Sequence, residues 1–91
     1  MTDAEILEIL KIDLMLSTAA LDEYLLTLIK SARAMIANEG THLTSETEDS
    51  MLVEMYAAYL YRSRKDSAPM PRMLRLALNN RLFREKGTTN G

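Results

Sequence analysis

The sequence predicts an all-α fold, a small bundle of about four helices with a proline break before the last one. Three observations predict it. Over residues 21–36 the apolar side chains recur at the 3.6-residue period of a helix, and the strict alternation of a strand is absent. Two capping-box patterns, Thr2 with Glu5 and Ser45 with Glu48, each stand ahead of an apolar run. Chain-breaking signals, Asn38-Glu39-Gly40 and Ser67-Ala68-Pro69-Met70-Pro71, divide the rest into segments of helical length.

The first helix is short, carries Ile6, Leu7 and Leu10 inward, and ends near Lys11–Asp13. Ser17 or Thr18 can cap the second helix, with Asp22 and Glu23 in its first turn, where the helix dipole favours acids. There Leu21, Tyr24, Leu25, Leu28, Ile29, Ala32, Met35 and Ile36 share an arc of about 140°, opposite Asp22, Glu23, Thr27, Lys30 and Arg33. Leu26 is the exception, an apolar side chain on the polar face.

The third helix spans roughly Glu46 to Lys65, with Leu52, Val53, Met55, Tyr56, Tyr59 and Leu60 as its buried stripe and Tyr61 on the opposite side. Glu46, Glu48 and Asp49 crowd its start, and Arg62, Arg64 and Lys65 its end, the order that complements the macrodipole. Pro71 is tolerated at the first position of a fourth helix, which runs to about Lys86 and stops at Gly87. Residues 1–86 then make a single domain, and a disordered tail is expected over residues 87–91.

A chain of 91 residues supports one core and leaves a thin stability margin. It contains no cysteine, which excludes disulfides and thiolate metal sites and fits a reducing compartment. The opening MTDAEILEIL carries three acids and no basic region, against the pattern of a secretory signal. No apolar run approaches the ~18 residues of a membrane span, so no membrane partner is expected.

Catalytic constellations are missing from the sequence. His42 is the one histidine, in a Gly-Thr-His-Leu-Thr loop, so nucleophilic triads and two-histidine metal sites are unavailable. Glu46, Glu48 and Asp49 lack the spacing of a calcium loop, and three glycines make no phosphate loop. The expectation is a protein that is not an enzyme, with no cofactor and no metal.

Charge is sorted along the chain. Residues 1–50 hold ten Asp/Glu against three Lys/Arg, a net of −7, while residues 51–91 hold three against eight, a net of +5. A two-signed chain can set its acidic patch against the basic patch of another copy. Arg62, Arg64, Lys65, Arg81 and Arg84 are candidates for facing DNA phosphates. Against that, Arg72, Arg75 and Lys86 lie on one side of the fourth helix and Arg81 and Arg84 nearly on the other, so no single stripe tracks a groove. The fourth helix is also apolar on two sides. Met70, Leu74, Ala77 and Leu78 suit the core, whereas Leu76 and Phe83, beside Arg72 and Asn79, point to a subunit interface.

The order of elements is itself informative. A short helix leads into Leu10-Lys11-Ile12-Asp13, then Leu21-Asp22-Glu23-Tyr24-Leu25-Leu26-Thr27-Leu28-Ile29-Lys30-Ser31-Ala32-Arg33, then a helix ending Tyr56-Ala57-Ala58-Tyr59-Leu60-Tyr61-Arg62, a proline break, and Leu74 to Phe83. Over residues 5–84 this resembles the small head–tail connector (adaptor) proteins of tailed bacteriophages and prophages, which dock beneath the portal. Asp13–Ala20 departs from the compact acidic turn of that family, being longer and more apolar.

The resemblance implies an all-helical protomer in a ring, commonly of about twelve subunits, at the head–tail junction of a virion and in host cytoplasm during assembly. Its partners would be the phage portal protein, a tail-side completion protein, and genomic DNA in transit through the lumen. It carries over no catalytic residue. As subunit contacts, Asp22 and Glu23 would approach Arg72 or Arg75 of a neighbour, with Leu76, Phe83 and Leu26 supplying burial and Asn79 alongside. A small helical DNA-binding or packaging accessory protein is the alternative, and a monomeric helical adaptor that caps one partner through Leu76 and Phe83 is a third class.

Overall fold

The fold is that of a computed structural model that describes the backbone of residues 1–90 and the side chains of residues 1–86. Its elements are four helices, α1 (Asp3–Asp13), α2 (Asp22–Asn38), α3 (Thr47–Arg62) and α4 (Arg72–Asn90), with no strand among the described residues. The all-α bundle expected from periodicity is what forms.

The Thr2–Glu5 capping box closes in both directions. The Glu5 N–H donates to Thr2 Oγ1 at 3.2 Å, and the Thr2 N–H donates to Glu5 Oε1 at 2.8 Å. Ile6, Leu7 and Leu10 then enter the core. Past the Leu14 C-cap of α1 the chain turns at Met15, a non-glycine residue at φ 59°, with the Met15 N–H on the Ile12 carbonyl (3.1 Å) and the Leu16 N–H on the Lys11 carbonyl (2.8 Å). Glycine usually takes this left-handed position because a Cβ is strained there.

That tight end displaces the start of α2. Neither Ser17 nor Thr18 caps it; both are exposed, and Leu21 is the N-cap with no side-chain hydrogen bond. A turn with the Asp22 N–H on the Ala19 carbonyl (3.1 Å) delivers the chain directly into the helix. Leu25, Ile29, Ala32 and Ile36 are buried as the expected arc requires, and α2 ends before Gly40, whose φ of 104° suits glycine. Leu26 is half-buried against the core, so it is not stranded on a polar face.

α3 lies against all three other helices. It is therefore buried over most of its circumference, at Leu52, Val53, Tyr56, Ala57 and Ala58, and even at Asp49, Ser50 and Glu54. Met55, Tyr59 and Leu60 of the expected stripe are only partly buried, and Tyr61 packs inward against Tyr24 with ring centroids 6.4 Å apart. A one-face pattern underestimates a helix with neighbours on several sides. The expected Ser45–Glu48 box is not formed, since Glu46 is the N-cap and makes no side-chain cap. α3 also ends at Arg62, three residues before the expected Lys65.

α4 packs chiefly on α3 through Leu74 and Leu78, with Met70 and Ala77 partly buried. It continues past Gly87, the expected stop, to Asn90. A single glycine costs a helix only about 1 kcal/mol, and no proline follows to end it. The side chains of residues 87–90, and all of residue 91, where a disordered tail is expected, lie outside the described residues. Among the described residues no helix is long and apolar enough to cross a membrane.

Candidate functional site

A polar clamp fixes α4 to the start of α3. Asp49, 3% exposed, accepts from Arg81 Nε at 2.8 Å and Arg81 Nη2 at 3.2 Å, and also from the Thr44 N–H (2.8 Å) and hydroxyl (2.9 Å). Burial pushes the Asp49 carboxyl up, but these hydrogen bonds from Arg81 and Thr44 outweigh it and hold it below its ordinary value. Arg81 Nη2 also donates to the His42 carbonyl at 2.9 Å, and one turn further Arg84 meets Glu48 at 2.7 Å.

The acids read as complements of the helix dipole thus also bind the last helix. Only their spacing against Arg81 and Arg84, three residues apart, could have signalled this. Of the DNA-facing candidates, Arg81 is thereby largely buried on Asp49, and Arg84, still exposed, is paired with Glu48.

His42 lies against the C-terminal half of α4. Its side chain is exposed, its N–H donates to Glu85 Oε2 at 2.7 Å, and its Nδ1 lies beside Glu85 Oε1. The backbone N–H of His42 is the chief reason the Glu85 carboxyl is held below its usual range. Among the described residues no group of three or more His, Cys, Asp or Glu side chains is placed to hold a metal ion.

The charge sorting seen in the sequence is largely consumed within the chain. Arg62 pairs with Asp13 at 3.2 Å, Arg75 with Glu39 at 3.6 Å, Arg81 with Asp49 and Arg84 with Glu48, each joining the basic half to the acidic half. Of the expected intermolecular pairs, Asp22 is held by Lys11 at 2.9 Å and Arg75 by Glu39, which leaves Glu23 and Arg72. Both are exposed and have no ion pair among the described residues. Arg64 stacks over the Tyr61 ring, 3.7 Å from its centroid, and Lys65 is exposed.

Among the described residues Glu54 is a buried acid with no ion pair. It is 3% exposed, and its Oε2 has no hydrogen-bond partner. Burial first, then the neighbouring Asp13 carboxyl, push it up to about 8, against a smaller opposing pull from Arg62. Nothing in the sequence distinguishes Glu54 from a surface glutamate, because its burial follows from α3 being central.

Apolar exposure is concentrated on two helices and one turn. On α4, Leu76 is 44% and Phe83 79% exposed, opposite the core-facing Leu74 and Leu78, with Asn79 between them; Met73 is 73% exposed on a flank. On α2 and its N-cap, Leu21, Tyr24 and Met35 of the expected apolar arc are exposed. Ile12 and Met15 are exposed at the end of α1. A half-open groove of about 350 Å³ runs between α3 and α4, lined by Met51, Leu52, Met55, Ala77 and Asn80, with the Asp49–Arg81 clamp at one end. Compared with protein-family models, curated proteins and solved structures, the chain finds no match.

Proposed function

We propose that this chain is a structural protomer of the head–tail connector type, assembling as a ring of about twelve copies beneath a phage portal, with the genome passing through the lumen. The observation that carries the reading is the outer face of α4, where Leu76 and Phe83 stand in solvent on a helix already satisfied on its other side. Exposed large apolar side chains aligned on one helix face mark a contact surface. The order and length of the four helices, read with the resemblance, support the connector assignment. In this reading the chain performs no chemistry. Its work is to hold neighbours, a portal above and a tail-side protein below, in the virion and during assembly in host cytoplasm.

The DNA-binding alternative draws less support, because Arg62, Arg81 and Arg84 are already engaged by Asp13, Asp49 and Glu48. Native mass spectrometry over a concentration series, with electron microscopy of the same samples, tests the ring. A discrete closed oligomer is expected, and the Leu76→Ser/Phe83→Ser variant is expected to be monomeric with unchanged helicity. Wild-type chains that remain monomeric throughout, or rings indifferent to both substitutions, would overturn the proposal.

A further inference from the structure

The two exposed strips have the same spacing. On the outer side of α4, Arg72, Leu76, Asn79 and Phe83 follow one another at intervals of four, three and four residues. On α2, Tyr24, Leu28, Ser31 and Met35 follow the same intervals, with Tyr24 and Met35 exposed and the half-buried Leu28 and Ser31 between them. This is the spacing of the seam along which two helices pack side by side. Within one chain α2 packs on α1 and α3, and α4 chiefly on α3; Leu28 leans on the core and Tyr24 touches the Tyr61 ring, yet Tyr24, Met35, Leu76 and Phe83 all keep a large exposed surface.

We infer that the outer face of α4 packs, parallel and in register, on the α2 edge of a second copy of this chain. The inference rests on the self-assembly proposed above and supplies its geometry. With Arg72 level with Tyr24, Leu76 meets Leu28, Asn79 meets Ser31 and Phe83 meets Met35. Apolar side chains face apolar ones at two levels, and an amide faces a hydroxyl at the level between. Reversing one helix sets Leu76 against Ser31 and Asn79 against Leu28, which leaves polar groups opposite apolar ones.

Charge selects the same partner. The outer face of α4 carries Arg72 and Lys86 and no carboxylate, so two such faces repel each other. The α2 edge offers Glu23, exposed and without an ion pair among the described residues, beside the level that Arg72 occupies. Because the two patches differ, each copy both gives and receives a helix, and the contact propagates from subunit to subunit until it closes.

The chain has no cysteine, so introduced ones report contact directly. Phe83→Cys and Met35→Cys chains, mixed under mild oxidation, are expected to give a covalent dimer, and a chain bearing both a ladder of multimers. Met73→Cys, exposed but off the seam, is the control and is expected not to couple to Met35→Cys. Arg72→Glu and Glu23→Lys should each weaken association about tenfold, and combining them should restore most of it. Oligomers that form without the seam cross-link, or with equal coupling to the control, overturn this interface and leave self-assembly standing. Monomers at every concentration, with no cross-link, overturn both.

Discussion

Replacing Glu54 changes how stability depends on pH. Glu54 is raised from 4.5 to about 8 by its burial and by Asp13, so between those values the folded chain holds a proton that the unfolded chain releases. A carboxyl raised in this way weakens the fold as pH climbs from 4.5 towards 8, and the loss levels off beyond. Full linkage over that interval amounts to about 4–5 kcal/mol, and relaxation of the site with entry of water reduces the expected loss to about 2–3 kcal/mol. Asp49 acts in the opposite sense. Its carboxyl is held below 3.8, so its contribution is present above that value and disappears as pH falls through its folded value. The two together place maximal stability at about pH 4–5, more acidic than is usual for globular proteins.

Urea unfolding followed by circular dichroism, from pH 4.5 to 8.5, measures this directly. Wild type should lose about 2–3 kcal/mol across the range, Glu54→Gln should be nearly flat, and Glu54→Leu should exceed wild type at pH 8. Parallel profiles for wild type and Glu54→Gln, or a wild-type stability that rises with pH, would refute the reasoning.

Asp49→Ala removes the nearer carboxylate from the Arg81 guanidinium, 15% exposed, and leaves it only Glu85 at 3.4 Å and the His42 carbonyl; it should cost about 2–3 kcal/mol by denaturant unfolding, and adding Arg81→Met should recover much of the loss. Met15→Gly relieves the left-handed strain at the end of α1 and should raise stability by about 0.5–1 kcal/mol, read as a higher melting temperature. Ile29→Ala empties a fully buried position and should cost about 2–4 kcal/mol in the same measurement.

The number and order of helices were legible because each carries its own periodicity and a break separates it from the next, even where the expected cap or stop did not form. Thr2 with Glu5 and Gly40 behaved as their local patterns require. The errors fall where a distant residue outbid a local one. Ser45 had the pattern of a cap, but Asp49, read as its neighbour in the first turn, was drawn inward by Arg81, 32 residues away. The α2 start was missed because Met15 adopts a conformation that no methionine advertises. Leu76 and Phe83 were legible as outward-facing because α4 has only one principal neighbour. Glu54 was not, because its surroundings are set by two helices that arrive from elsewhere in the sequence.

The Asp49–Arg81 clamp grips α4 near its middle, while the first turn of that helix follows the proline-containing segment 67–71. The first three helices form a platform, and the fourth is laid along it, seated by Leu74 and Leu78 and tied by Arg75 to Glu39, Arg81 to Asp49 and Arg84 to Glu48, which leaves Leu76 and Phe83 on the side turned away. With that many attachments along one side, Leu76 and Phe83 are held at a fixed spacing and in a common direction by the packing beneath them.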